Sequence, residues 1–261
     1  FLKYARTVSS LSLRESPLIQ TIWLGSWAIP NRCFSNLNSL TVDGCQFLSD
    51  VVLPFFLLPF LTNLQELEVS DCGSVNSIFD VKCITQERER KPLPFALKEL
   101  TLRKLPKLEN VWNEDPHGIL SMQLLQHVNV YNCGCLLYLF TSSTVKCLTG
   151  LKRMEISWCD SIEEVVSKEG DESQENEIIF PQLNCLKLEE LRKLRSFYRG
   201  SLLSLPSLEE LSVIDCYWMK TFCRGTLKAD KLLQVKLDEF SDAIKLENDL
   251  NSTMREAFKE K

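Results

Sequence analysis

A thirteen-residue spacing recurs along the whole chain and restricts its fold more than any other feature. In "LEVSDCGSVNSIF", apolar residues fall at Leu67, Val69, Cys72, Val75 and Ile78. The first step is two residues, the period of a strand whose side chains alternate between faces. The later steps are three, which fit neither a strand nor an α-helix. The same pattern begins at Leu40 ("LTVDGCQFLSDVV"), Val128 ("VNVYNCGCLLYLF"), Met154 ("MEISWCDSIEEVV") and Leu211 ("LSVIDCYWMKTFC"). Copies from Leu100 ("LTLRKLPKLENVW") and Leu186 ("LKLEELRKLRSFY") carry leucine in the cysteine slot. The copy from Leu11 has Ser16 there, and "VKLDEF" from Val235 is truncated. A further apolar residue stands three positions before most starts, as at Leu37, Leu64, Leu97, Leu151, Leu183 and Leu208.

The nine starts lie 24 to 33 residues apart. Such repetition marks a stacked array in which no single unit buries its apolar face alone. The spacing matches the leucine-rich repeat, with Asn or Cys at the turn and a period of about 20–29 residues. The predicted fold is therefore an α/β leucine-rich-repeat solenoid, a horseshoe with short parallel strands on its concave face. Its convex arcs are expected to be irregular, 3₁₀-like or extended, because steps of three suit these better than a full helix. Cys45, Cys72, Cys133, Cys159 and Cys216 sit where each chain leaves its strand. They are read as buried small hydrophobes, with their S–H groups facing backbone carbonyls.

The solenoid is assigned to residues 1–240, with about nine repeats. Two long periods mark insertions, near 80–95 and 167–179, the second rich in acids at Glu169, Asp171, Glu172, Glu175 and Glu177. Its poverty in apolar residues predicts a mobile, solvated loop. From Ser241 to Lys261 the pattern becomes helical, with Leu246, Leu250, Met254 and Phe258 four apart. A terminal repeat exposes its core edge and needs a cap, so this segment is assigned as a capping helix. It contains the glycosylation sequon Asn251-Ser252-Thr253, which has no role inside a cell. The start at Phe1, without a signal peptide, reads as a piece of a longer protein.

Several function classes are excluded. A net charge of −5 in 261 residues points to neither nucleic acid nor an anionic membrane. The longest apolar run, "VVLPFFLLPFL" at Val51–Leu61, is about half a membrane span and contains Pro54 and Pro59. Eleven cysteines, an odd number in a chain with ample core residues, suggest reduced thiols rather than a disulfide scaffold. No phosphate-binding glycine loop occurs. His127 with Cys133 and Cys135 lacks a second pair at zinc spacing, and no thiol–histidine or carboxylate pair forms a recognisable catalytic set. The chain is read as a non-enzyme without a metal or cofactor.

Binding is expected on the outward strand positions, one before and one and three after each start. The candidate face comprises Glu68, Arg103, Asn129, Tyr131, Arg153, Glu155, Trp158, Lys187 and Glu189. Its mixed charge suits a protein partner. Tyr131, Arg153 and Trp158 come from adjacent repeats and are residue types enriched in binding hot spots; the plainer alternative is that these aromatics pack on a neighbouring turn.

The alternation of "LEVSDC" with "LTLRKLPKLENVW" and "LKLEELRKLRSFY", the segment "FPQLNCLKL" after an acidic stretch, and the ending "ENDLNSTMREAFKEK" resemble the leucine-rich-repeat region of plant intracellular nucleotide-binding disease-resistance proteins of the coiled-coil class. The resemblance covers essentially the whole chain. It implies a cytoplasmic immune receptor whose repeats sense a pathogen effector or a modified host protein and restrain a nucleotide switch. ADP or ATP would bind that upstream domain, not this chain. An F-box ubiquitin-ligase adapter is the competing class, but its repeats are more even and helical. An extracellular receptor ectodomain would show Asn-type repeats and disulfide-paired caps, which do not appear.

Overall fold

A computed structural model describes residues 7–14, 33–81, 92–116, 118–168, 177–246 and 249–257. Eight five-residue strands form one parallel sheet in sequence order. They are β1 (Ser10–Arg14), β2 (Ser39–Asp43), β3 (Glu66–Ser70), β4 (Glu99–Arg103), β5 (His127–Tyr131), β6 (Arg153–Ser157), β7 (Cys185–Glu189) and β8 (Glu210–Ile214). Each repeat start is the second residue of its strand, and the starts pair with one another across the sheet, from Leu11↔Leu40 to Leu186↔Leu211. The ninth copy extends this sheet by a parallel bridge from Lys236 to Ser212.

Alternation puts the start and the residue two beyond it inside the solenoid. Leu40, Val42, Val69, Val128, Val130, Met154, Ile156, Leu186 and Leu188 are all buried, as are the leucines three residues before the repeat starts. These side chains belong to one hydrophobic cluster that runs through all the described repeats, so the core is one continuous column.

At the fourth residue after each start the backbone turns left-handed. Gly44, Asp71, Lys104, Asn132, Trp158, Glu190 and Asp215 have φ between 51° and 63°. From Gly44 to Glu190, each N–H donates to the last strand residue of the next repeat, at 2.9–3.1 Å. This kink redirects the chain so that the next residue, Cys or Leu, points inward. The turn cysteines are fully buried. Cys72 Sγ donates to Ser70 O at 3.2 Å, Cys159 Sγ to Ser157 O at 3.4 Å, and Cys45 Sγ to Leu13 O at 3.4 Å. The expected contact between thiol and carbonyl is therefore present.

The convex arcs are more regular than expected. Val51–Leu53, Ser77–Phe79 and Asn110–Trp112 form a second parallel row, continued separately by Phe140–Thr141, Glu164–Ser167 and Ser196–Tyr198. A third row comprises Glu177–Ile179, Leu202–Ser204 and Thr226–Lys228. Pairing between repeats satisfies arc backbone groups that 3₁₀ turns would satisfy locally. Val, Ile and aromatic residues favour it. Phe79 stacks on Trp112, and Phe197 on Phe222, with ring centroids 5.8 and 6.0 Å apart. Among the described residues the helical parts of the arcs are a 3₁₀ turn at Leu58–Phe60 and the short helix α1, Ser142–Val145.

The bodies of both insertions lie outside the described residues. Their ends belong to the arcs: Leu93–Pro94 pairs with Leu120–Ser121, and Glu177–Ile179 forms a strand that buries Ile178. The expected loop at 167–179 thus gives way to structure at Glu177. The C-terminal helix is shorter than its i, i+4 pattern suggested. Ile244–Lys245 folds back antiparallel on Gln234–Val235, and Leu246 N–H bonds to Leu233 O. Helix α2 runs from Leu250 to Ala257, with Leu250 and Met254 buried. Asp249 caps it by accepting from Ser252 N–H at 3.1 Å. The pairing of Val235 with Ile244 takes the segment before Asp249 out of the helix.

The concave face as candidate interaction site

The parallel register lines outward residues into ladders about 4.8 Å per step. The central ladder reads Thr41, Glu68, Thr101, Asn129, Glu155, Lys187 and Ser212. Toward the C-terminal ends of the strands runs Asp43, Ser70, Arg103, Tyr131, Ser157, Glu189 and Ile214.

Six of the nine candidates surround one depression of about 250 Å³: Arg103, Asn129, Tyr131, Glu155, Lys187 and Glu189. Glu155 is its electrostatic centre. It accepts from Arg153 at 2.7 Å, pairs with Lys187 at 3.4 Å, and receives a 3.4 Å bond from Asn129. Burial pushes its carboxyl upward, but Arg153 and Lys187 outweigh this and hold it below the usual value. Arg103 differs from these cations. It is exposed, has no ion pair among the described residues, and lies beside Tyr131, a residue 38% exposed.

The other three candidates stand elsewhere. Glu68 borders a depression of about 100 Å³ with Glu66 and Glu99. Arg153 is the first residue of β6, whereas Trp158 follows its last. At about 3.3 Å per residue, β6 separates them by its whole length. The three-residue cluster of Tyr131, Arg153 and Trp158 is therefore not assembled: Tyr131 and Trp158 lie toward the C-terminal rim, and Arg153 joins the Glu155 ion cluster. Trp158 lines a larger groove of about 620 Å³ with Lys187, Glu189 and residues of the last two repeats.

Exposed Tyr217 and Trp218 were not singled out by the repeat pattern. They follow Cys216 within an arc, where spacing says nothing about which residues face outward. His127 Nδ1 stands 3.3 Å from Glu99, while Cys133 points inward and donates to Tyr131 O. Among the described residues, no helix is long and apolar enough to cross a membrane.

A family model for "Plant disease resistance protein RPS2-like, leucine-rich repeats" matches residues 7–159 and 142–235. No curated protein matches the chain. Two overlapping matches that span nearly every repeat, on a parallel-strand solenoid with repeats in register, place this chain in the family of RPS2-like leucine-rich repeats of plant disease resistance proteins.

Proposed function

We propose that this chain is the protein-binding and autoregulatory region of a cytoplasmic plant immune receptor. Its concave face contacts a pathogen effector or a modified host protein, and in the resting state a nucleotide-binding domain of the same polypeptide. ADP or ATP belongs to that domain. The observation that carries the reading is Arg103, without an ion pair among the described residues and beside the exposed Tyr131, in a depression whose other lining cation, Lys187, is already engaged by Glu155. An exposed guanidinium next to an aromatic ring is ready to meet a carboxylate without first breaking an ion pair. A leucine-rich-repeat solenoid is an interaction fold and not typical of enzymes. The family match does not favour the F-box adapter.

The test is binding of the whole chain to the separately expressed nucleotide-binding domain of the same gene. Arg103→Glu should weaken binding about tenfold or more, the scale of a hot-spot arginine. Reversing Arg153 and Lys187 as well should add to the loss. Unchanged affinity in Arg103→Glu would remove this face as the docking surface.

A further inference from the structure

We infer that the groove at the C-terminal end of the concave sheet is a docking site for an extended, arginine- or lysine-bearing segment of a protein partner. The inference rests on the protein-binding reading above and gives one part of the face a partner chemistry.

The groove holds about 620 Å³ between Trp158, β7, β8, the ninth repeat and the C-terminal hairpin. It is larger than the depression around Arg103 and continues from it, sharing Lys187 and Glu189. Its floor is the outward face of β7 and β8, where Lys187, Glu189 and Ser212 are half-buried and Ile214 is buried. From Trp158 to Lys236 it spans four neighbouring repeats, three strand spacings or roughly 14 Å. That suits an extended peptide of several residues better than a compact small molecule.

Charge decides which peptide. Glu189, Glu210 and Glu239 line the groove and form no ion pair among the described residues. Asp215 forms no ion pair among the described residues and accepts the Tyr217 hydroxyl at 2.6 Å. Lys187 is already held by Glu155 at 3.4 Å, so Lys236 is the one unengaged cation among the described lining residues. An incoming acidic segment would meet repulsion here, whereas a basic one finds carboxylates on both sides. The aromatic wall points the same way. Trp158 is 47% exposed at one end, and arginine is the residue that both stacks on an indole and bridges to a carboxylate. The depression around Glu66, Glu68 and Glu99 is also acidic, but it is about 100 Å³ and has no aromatic wall.

The test uses the 261-residue chain and a labelled peptide of alternating arginine and glycine, with a matched peptide carrying citrulline in place of arginine. Anisotropy should report binding of the arginine peptide that weakens at least tenfold with citrulline and declines as salt rises. Glu189→Gln with Glu210→Gln should weaken it about tenfold, and Trp158→Ala about fivefold, on the usual scale of interface residues. Glu66→Gln with Glu99→Gln removes the same charge from the other acidic depression and should leave affinity unchanged. The proposal is overturned if the two double variants behave alike, or if citrulline is tolerated. Carboxylate-dependent peptide binding in a chain whose Arg103→Glu variant still holds the nucleotide-binding domain would sink the docking proposal above and leave this one standing.

Discussion

Trp158 donates its backbone N–H to the carbonyl of Glu189, one repeat further on, at 3.1 Å and from a left-handed conformation with φ 58°. Five other repeats make the same bond from Gly44, Asp71, Lys104, Asn132 and Glu190. The position is a backbone requirement of the solenoid, and glycine, asparagine and aspartate meet it at low cost. Tryptophan does not: every Cβ crowds the following carbonyl, and tryptophan lacks the short polar side chain with which asparagine and aspartate offset this by bonding locally.

Trp158→Asn should therefore stabilise the fold by about 1 kcal/mol while removing an exposed aromatic from the groove. Urea or thermal unfolding reads the first effect. A loss of more than about 1 kcal/mol would mean that the indole packs on the neighbouring turn strongly enough to outweigh the backbone strain.

The turn cysteines should resist alkylation. Burial pushes Cys72 up to about 11 and Cys216 up to about 12, so little thiolate exists near neutrality. Cys135 is exposed and Cys147 partly so. Peptide mapping after brief iodoacetamide treatment of the native chain should find Cys135 labelled first, with Cys72, Cys133 and Cys216 labelled only on unfolding. Early labelling of Cys72 would contradict its placement in the core.

Asn251 joins the cap to the eighth repeat. Its side-chain oxygen accepts from Phe222 N–H at 2.8 Å, and its amide donates to Cys223 O at 3.3 Å and Gly225 O at 3.4 Å. Asn251→Ala leaves a buried N–H unsatisfied and should cost about 2 kcal/mol. Hydrogen exchange should show the loss concentrated in α2 and the arc around Phe222. The burial of Asn251 has a second consequence. Passed through a secretory pathway, the folded chain should carry no glycan at Asn251-Ser252-Thr253, and quantitative modification there would mean that α2 does not dock.

Glu155 gives the concave face a pH dependence of defined sign. Burial raises its carboxyl, but Arg153 and Lys187 lower it further, below the unfolded value of 4.5. A depressed carboxylate stabilises the fold above its unfolded pKa and loses that contribution as pH falls through the folded one. Below pH 4.5 the wild type should lose up to about 1 kcal/mol that Glu155→Gln has already lost at neutrality. Stability curves for the two chains should converge in acid, and parallel curves would show that the cluster contributes nothing.

The nine-fold spacing by itself determined the solenoid, the register of the parallel sheet and the inward column from Leu40 to Leu211. A two-residue step followed by a buried turn residue has one way to stack, and each repeat states it again. It also identified the turn cysteines, because a small side chain between strand and arc has nowhere else to go. Six of the nine candidate residues meet around one depression because ladder positions follow directly from that register. Tertiary structure alone decided the remainder. Whether the arcs pair as strands depends on hydrogen bonds to the next repeat, some thirty residues away. Ile244 leaves the apparent C-terminal helix because Val235 offers it a strand partner. Arg153 stands apart from Trp158 because β6 lies between them, and Trp158 adopts a left-handed backbone that no helical or strand period encodes. The acidic groove exists only where the last repeats and the hairpin meet β7 and β8, bringing Glu189, Glu210 and Glu239 from three separate segments to one groove.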